Sequence, residues 1–325
     1  MSNTPIVYAP RAYGLLSGML AVYKPAGVGI NSLHDKIVTK LVTDINRLEQ
    51  RPQKQRLLQT KSISDSTIES LVSKTYVPDW SDHPLVTGPR FTNDNFLISF
   101  GNLLDADACG VQVIGVDKKG ENLTKRYQNM GLPRKYKVHG QFGFASMTHS
   151  PKSRILERST WDHVTADKIS RVLTTIQVSH RNAMLRDSGL ELSSHQAYKL
   201  ASRGLLRPKG GYEPVIVDIK LSSLNLPHFV LEIICINDNC AYVRKILHEV
   251  AVELRTNAIC TKLQVVQDGV FNHDSEHTLL SHQINTNNFL KSIFYYRPLL
   301  LPHLAKKADH FKKNNFIEKQ NCATS

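Results

Sequence analysis

The sequence has few features of a secreted, metal-stabilised or membrane-spanning protein. Its five cysteines are odd in number and form no Cys-x-x-Cys pair, so we expect neither a disulfide framework nor a structural zinc site. No run of about 18 apolar residues occurs, and so we expect no membrane-spanning helix. Gly-rich phosphate-binding loops and internal repeats are also absent from the chain. The odd number of cysteines and the lack of a disulfide framework indicate a reducing compartment.

Acidic residues are scarce relative to basic ones. Asp and Glu number 28 against 41 Lys and Arg, which gives a net charge of +13. Such an excess favours polyanionic partners, because each neutralised phosphate releases a condensed counterion. Two alternative explanations of the charge are simple solubility and the generally basic pI of mitochondrial matrix proteins. Two alternative partners are phosphate-bearing small substrates and anionic membrane surfaces. The first acidic residue is Asp35, which resembles a mitochondrial presequence only weakly because residues 18–22 are predicted to form a core strand.

Hydrophobic periodicity predicts both helices and strands, without regular alternation. This pattern favours an α+β fold with a mixed sheet over a doubly wound parallel one. Residues 50–75 are polar and basic and are interpreted as an insertion or exposed loop. The pattern weakens after Phe271, where we expect a short helix around 289–296 and a poorly ordered basic tail from Lys306. Predicted strands span residues 18–22, 96–100, 110–116, 135–142, 215–221, 229–236 and 261–266, and predicted helices span 33–48, 165–177, 195–203 and 242–254.

Candidate chemistry is concentrated around one carboxylate. Asp105 follows an apolar residue and precedes Ala108 and Gly110, whose small size lets backbone or a ligand approach. A carboxylate beside apolar groups is costly unless it pairs with a cation or takes part in chemistry. Arg244 lies on the first turn of a predicted amphipathic helix, with Tyr242 two residues before it. From the residues alone, a structural cap or turn at Asp105 stays open.

A basic stretch from Lys118 to Lys137 contains interleaved tyrosines. Tyr127 and Tyr136 among lysines and arginines are typical of surfaces that stack bases beside phosphates. An exposed strand edge protected by lysines would have the same spacing. A possible metal cluster is interpreted as a solvated polar segment, so no metal site is expected. Its members are His273, Asp274, His277 and His282.

Four segments together resemble the TruB family of pseudouridine synthases. Each motif alone is weak, but the four occur in the family's order from about Gly18 to Phe271, which is most of the chain. The second segment contains the position of the family's catalytic aspartate, and the third contains its base-stacking tyrosine. The segments are Lys24-Pro25-Ala26-Gly27, Leu104-Asp105-Ala106-Asp107-Ala108-Cys109-Gly110, Lys135-Tyr136 and Tyr242-Val243-Arg244.

The resemblance implies a fold, a reaction and a set of site residues. The fold would be a curved, mixed and mainly antiparallel sheet with flanking helices and an RNA-binding cleft. The reaction would isomerise a flipped-out uridine to pseudouridine without metal or organic cofactor. Residues 14–271 would form the catalytic domain, and 272–325 an extension without a recognisable PUA domain. Asp105 would be the nucleophile, Tyr136 would pack on the base, and the other substrate-binding or RNA-binding candidates are Arg244, Tyr242, Arg203, Lys24 and Lys135.

Further segments resemble the animal mitochondrial branch of the family, including His83-Pro84-Leu85-Val86 and Gln196-Ala197-Tyr198. That likeness implies a mitochondrial matrix enzyme acting on mitochondrial mRNA, with tRNA or rRNA as alternatives. One departure concerns the arginine that pairs with the aspartate, since Arg203 lies one position late. One position on a helix is about 100° of rotation, so Arg244 is the other candidate partner. An RNA-binding or assembly factor with weak or lost catalysis is the alternative function.

Overall fold

A computed structural model of the chain describes residues 7–62, 71–187, 195 and 213–322. The predicted helix at 195–203 lies outside this part of the chain, apart from His195. The helices are α1 (Ala9–Leu15), α2 (Ile30–Asn46), α3 (Pro84–Thr87), α4 (Asp117–Gln128), α5 (Ala166–Asp187), α6 (Cys240–Glu253) and α7 (Thr286–Cys322). The strands are β1 (Gly18–Lys24), β2 (Gln55–Ser62), β3 (Leu71–Pro78), β4 (Ile98–Phe100), β5 (Ala108–Val116), β6 (Arg134–Phe142), β7 (Phe144–Ser146), β8 (Ile155–Arg158), β9 (Val215–Asn225), β10 (His228–Ile236), β11 (Ala258–Asp268), β12 (Phe271–Asn272) and β13 (Thr278–Leu279).

A nine-stranded mixed sheet organises the described chain. Its order is β13-β1-β5-β11-β6-β10-β9, with β4 beside β5 and β12 beside β11. The β1–β13 and β5–β11 pairs are parallel, and the other pairs of this sheet are antiparallel. The α+β class with a mixed, mainly antiparallel sheet is therefore confirmed. The predicted strands at 215–221 and 229–236 also form, as β9 and β10, and they pair with each other in antiparallel orientation.

The central strands are buried on both faces, since alternating side chains of β1 enter two different hydrophobic clusters. Met19 and Ala21 join one cluster, and Leu20 and Val22 join the other. Every residue of β5 is buried. The second cluster receives the apolar stripe of α2 and side chains of α7, including Phe289 and Ile293. Near-continuous apolar runs are the pattern expected of strands covered on both faces.

The other half of the sheet is covered on one face only. From Lys135 onward in β6, and along the whole of β10, buried residues alternate with more exposed ones, as they do when one face of a sheet packs on a core. The apolar stripes of α5 and α6 cover the buried face, through residues such as Ile169 and Ile246. The opposite face carries polar side chains, including Lys135 and Glu232. A side chain of β6 therefore lies either in the core or on this open face.

Two segments differ from the sequence prediction. The region at 50–75 is not only a loop: β2 and β3 form an antiparallel hairpin in which Leu57 pairs with Tyr76. Its Ser/Thr-rich composition obscured the strands, since an exposed hairpin has no consistently apolar face. Helix α4 was not predicted, because it is mostly polar and buries only Gly120, Thr124 and Tyr127.

The segment after Phe271 packs on the sheet. Leu279 of β13 and Phe289, Ile293 and Leu300 of α7 are buried in the two hydrophobic clusters. Helix α7 continues to Cys322, past Lys306, where the sequence predicted a poorly ordered tail. Among the described helices, none combines the length and the apolar character needed to cross a membrane.

Candidate active site

A buried lysine anchors the loop that carries Asp105. Lys24 ends β1, and its side chain is completely buried. Its ammonium donates to the carbonyl oxygens of Asp105 at 2.9 Å, Ala106 at 3.1 Å and Ala108 at 2.7 Å. Burial lowers the pKa of Lys24, and the carboxylates of Asp105 and Asp107 oppose that shift. The expectation of an RNA contact at Lys24 is thereby corrected, because the side chain reaches no surface and holds the 105–108 loop instead.

Two positions in the motifs require glycine, each because of a different feature of the backbone. Gly110 has a φ of +118°, and a Cβ there would lie 2.1 Å from the carbonyl oxygen of Val265 on the neighbouring strand. The close approach that the small residues indicated is thus made by backbone of β11. Gly27 has a φ of +86°, and its N–H donates to the carbonyl of Ala106 at 2.8 Å. The first motif therefore holds the Asp105 loop from a second side.

Asp105 and Arg244 form the ion pair at the centre of the site. Arg244 Nη1 lies 2.5 Å from Asp105 Oδ2, although the two residues are 139 positions apart. The arginine side chain is 10% exposed and the aspartate side chain 48% exposed. Burial lowers the pKa of Arg244, but its bond to Asp105 outweighs this, so the net pKa lies above the ordinary value. The arginine stays charged and fixes one carboxylate oxygen, while the aspartate remains accessible.

Helix α6 places Arg244 by a capped start. The Asn239 side chain accepts a hydrogen bond from the Tyr242 N–H at 2.8 Å, as an N-cap residue does. Val243 and Ile246 turn into the core, so the arginine at the edge of this apolar stripe points toward the Asp105 loop. The predicted position of Arg244 on the first turn of an amphipathic helix is confirmed.

A cavity of about 160 Å³ opens beside the ion pair, lined in part by Gly27, Asp107, Lys152, Arg244 and Thr261. Lys152 lies in the loop between β7 and β8, and its ammonium pairs with the carboxylate of Asp107 across the cavity. Sequence reasoning missed both residues. Lys152 lies in a loop without regular hydrophobic periodicity, and its contact with the Asp105 loop depends on how β7 and β8 fold back.

Tyr136 lies in the same part of the sheet as the Asp105 loop. Its Cα pairs with that of Val265, which in turn pairs with Gly110, so two strand spacings of about 4.8 Å separate Tyr136 from β5. The ring is 1% exposed, and burial raises the pKa of the phenol well above its ordinary value. The hydroxyl accepts a hydrogen bond from Arg134 Nη1 at 3.2 Å.

Arg134 belongs to a buried charged network behind Tyr136. Its guanidinium lies 3.7 Å from the carboxylate of Asp238 and 3.9 Å from that of Asp268. Tyr127 donates to the Asp268 carboxylate at 2.9 Å and is 2% exposed. The prediction that Tyr127 could stack on bases is therefore wrong, because its ring is buried and its hydroxyl is used in the network.

The remaining predicted site residues lie apart from the ion pair or outside the described residues. Lys135 is adjacent to Tyr136 in β6, so its side chain points to the opposite, open face, where it lies 2.9 Å from Glu232. Lys135 thus lies on the other face of the sheet from Tyr136, and RNA binding by this lysine stays a prediction. The Tyr242 hydroxyl donates to the carbonyl of Pro214 at 3.4 Å. Arg203 lies outside the described residues.

Comparison with known proteins agrees with the motifs. Residues 97–241 match the family profile described as TruB family pseudouridylate synthase (N terminal domain). Pseudouridylate synthase TRUB2, mitochondrial, of Xenopus tropicalis is 36% identical over 269 residues, covering 82% of each chain. The Homo sapiens protein of the same name is 36% identical over 294 residues, covering 90% of this chain and 87% of its own. Pseudouridylate synthase TRUB1 of Homo sapiens is 24% identical, covering 93% and 75%.

Among solved structures, one match is to a chain of the archaeal box H/ACA sRNP Nop10-Cbf5 complex. The matched chain has a TM-score of 0.46 and 11% sequence identity, and the match covers 89% of this chain. It spans 57% of the solved chain's length.

These relatives define the class as an RNA pseudouridine synthase, an isomerase that converts uridine to pseudouridine in RNA. Within that class the chain belongs to the TruB family, since its identity of 36% extends over most of both chains. The resemblance to the TruB family that the four motifs indicated is therefore confirmed. Among the described residues, no group of three or more His, Cys, Asp or Glu side chains could hold a metal ion.

Proposed function

We propose that Asp105 is the nucleophile of the uridine isomerisation. The observation that carries this is the ion pair with Arg244: the carboxylate is held at 2.5 Å on one side, yet 48% of its side chain is open to a ligand. A carboxylate that is fixed and accessible can attack the nucleoside of a flipped-out uridine. As the carboxylate bonds to the sugar carbon C1′, the glycosidic bond from C1′ to the base nitrogen N1 breaks. The detached base rotates and bonds to C1′ through its carbon C5 while the Asp105 carboxylate leaves, and the base then loses the C5 proton and gains one at N1.

Several site residues would position this carboxylate or the base. Lys24 fixes the backbone of the 105–108 loop through three of its carbonyls. Arg244 orients the carboxylate and balances its charge. The family resemblance is the ground for proposing that Tyr136, unlike Tyr127, packs on the base. Its ring is 1% exposed, so this role requires the side chains that cover the ring to move when the uridine enters. The alternative function, an RNA-binding or assembly factor with weak or lost catalysis, was motivated by the displaced position of Arg203. The ion pair with Arg244 supplies Asp105 with an arginine and so favours the enzyme.

For the substrate and location, we propose mitochondrial RNA and the mitochondrial matrix, with mRNA as the RNA class and tRNA or rRNA as alternatives. Two 36% identical relatives carry "mitochondrial" in their names, and this supports the proposed location. We also propose residues 14–271 as the catalytic domain, with the β2–β3 hairpin as its insertion and 272–325 as an extension whose first part packs on the sheet.

The test compares Asp105→Asn with Asp107→Asn. The two variants make the same change in one loop, but only Asp105 pairs with Arg244. Pseudouridine formation should fall by at least roughly 10³-fold in Asp105→Asn, as it does when a nucleophile is removed, and should persist in Asp107→Asn. RNA affinity should stay similar in both. Full conversion by Asp105→Asn would refute the nucleophile, and loss of conversion in both variants would point to the loop's structure instead.

A further inference from the structure

Three buried charged side chains near the active site have no part in the proposed chemistry. The Arg134 side chain is 15% exposed, and those of Asp238 and Asp268 are 0% and 2% exposed. We call these three residues the Arg134 cluster. Taking charges out of water is costly, and a buried ion pair often adds no net stability over apolar side chains of similar volume. Stability alone therefore does not account for the cluster, and its connections to the rest of the site indicate a second role.

The first connection runs from Asp268 to the loop of Asp105. Asp268 ends β11 and accepts a hydrogen bond of 2.6 Å from the side-chain amide of Asn102. Gln112 of β5 is completely buried and bonds to the carbonyl of Asn102 and to the N–H of Leu104. These bonds hold the three residues before Asp105 as one unit. A shift of the Asp268 carboxylate is therefore passed on to Asp105.

The second connection runs from Asp238 to the helix of Arg244. Asp238 directly precedes Asn239, the N-cap residue of α6, and Arg244 is the fifth residue of that helix. Neither oxygen of Asp238 has a hydrogen bond from the described residues, so the ion pair with Arg134 at 3.7 Å is what compensates this buried carboxylate among them. Because a packed helix moves as a rigid element, the position of its start decides where Arg244 lies.

The third connection is the hydrogen bond of 3.2 Å that Arg134 donates to the hydroxyl of Tyr136. A guanidinium carries five N–H donors in a planar fork, so one side chain can face three partners in fixed directions. Burial lowers the pKa of Arg134, but Tyr136 and the two carboxylates outweigh this effect, and the net pKa lies above the ordinary value. The loop of Asp105, the start of α6 and Tyr136 thus share one permanently charged group.

We propose that Arg134 is a positioning residue for the isomerisation, which aligns Asp105 with Arg244 from behind. Its two carboxylate partners carry this constraint to the loop and to the helix. The inference rests on the proposed function, because the alignment affects the rate only if Asp105 reacts. A misplacement of about an ångström costs a reaction roughly 10²-fold in rate, whereas the surface that binds RNA stays the same.

The experiment compares Arg134→Lys with Arg90→Lys in the full chain. The two arginines are matched, because their side chains are 15% and 14% exposed and each forms an ion pair with a carboxylate that is itself buried. Arg90 lies away from the site, next to Phe91, which bonds to Asn46 at the last residue of α2. Lysine keeps the positive charge but loses the planar fork. Both variants should therefore fold and unfold at a somewhat lower urea concentration than wild type.

The two variants should differ in the rate of the reaction. On a uridine-containing RNA that the wild type converts, Arg134→Lys should be roughly 10-fold to 10²-fold slower in single turnover, with an unchanged Kd for the same fluorescent RNA. Arg90→Lys should convert this RNA at the wild-type rate. A role in stability alone would lower the urea midpoint of both variants and leave both rates unchanged, so the rate separates positioning from stability.

Asn102→Ala is a second variant, which leaves every charge of the cluster in place and cuts only the connection to the loop. Its rate should fall by about 10-fold with an unchanged Kd, and it decides the question if Arg134→Lys does not fold. Wild-type rates in these variants overturn the proposal, and so does a raised Kd with an unchanged rate, which would make Arg134 an RNA contact. Conversion by Asp105→Asn would refute the proposed nucleophile, whereas a wild-type rate in Arg134→Lys beside an inactive Asp105→Asn refutes the positioning role alone.

Discussion

The most direct prediction concerns the ammonium of Lys24. Lys24→Met keeps a long side chain of similar volume but removes the donor from the carbonyls of Asp105, Ala106 and Ala108. We expect both a less stable protein and a slower enzyme. The same substitution at Lys135 supplies the control, because that lysine forms an ion pair in which both side chains are more than a third exposed.

The magnitude follows from the hydrogen bonds. An ammonium has three hydrogens, so the substitution leaves about three carbonyl acceptors unpaired, at about 1–3 kcal/mol each. The contact with Ala108 is buried, and those with Asp105 and Ala106 are partly buried. The substitution also removes the cost of burying the ammonium charge, which offsets several kcal/mol of that loss. The net loss should be about 2–4 kcal/mol, against at most about 1 kcal/mol at exposed Lys135. Because the 105–108 loop loses its anchor, kcat should also fall by roughly 10²-fold, the usual cost of misplacing a reacting group by about an ångström.

The assay combines urea unfolding with single-turnover pseudouridine formation on one RNA for wild type, Lys24→Met and Lys135→Met. The expected pattern is a large effect on stability and rate at Lys24 and a small one at Lys135. If Lys24→Met unfolds at the same urea concentration as Lys135→Met and converts uridine at the wild-type rate, the carbonyl contacts do not hold the loop. A stability loss with an unchanged rate would mean that they stabilise the fold without positioning Asp105.

Two further predictions test the geometry of the sheet and the titration of a half-buried histidine pair. Gly110→Ala should lower the free energy of unfolding by about 3 kcal/mol or more, because its Cβ would meet the Val265 carbonyl at 2.1 Å, whereas Gly14→Ala, with nothing within 4 Å, should have little effect. Burial, and to a lesser degree the stacked ring of His248, lowers the pKa of His149 in the folded protein. As pH falls below about 6.5, the unfolded chain therefore binds a proton at His149 before the folded protein does, and the free energy of unfolding decreases. His149→Asn, which tolerates the φ of +54° at this position, should flatten that decline in urea unfolding between about pH 5 and 8; parallel profiles would contradict this reasoning.

The predictions that the structure confirmed depend on local physics. An apolar run buried on both faces, as in β5, and an apolar stripe at helical spacing, as in α6, are readable from neighbouring residues. The Asp105 motif could be located in the same way, since small residues after an aspartate indicate a tight approach whatever the partner. The net charge of +13 indicated a polyanionic partner before any fold was known.

Local patterns failed where a residue's role depends on which way it points. Lys24 and Lys135 both lie in segments that resemble the family, yet one is buried against carbonyls and the other lies on the open face of the sheet. The hairpin at 55–78 was interpreted as a loop because its strands have no core to pack on. These outcomes depend on strand register, since a shift by one residue exchanges the two faces.

By itself, the sequence determined the class of fold, the family and the location of the nucleophile candidate, because each depends on short motifs and hydrophobic periodicity. Only the tertiary structure decided that Arg244 is the arginine paired with Asp105, and that Lys152 reaches Asp107 across the cavity. Asp105 and Arg244 are 139 positions apart. Their contact follows from the order of strands in the mixed sheet and from the packing of α6 on it, and no local pattern specifies either.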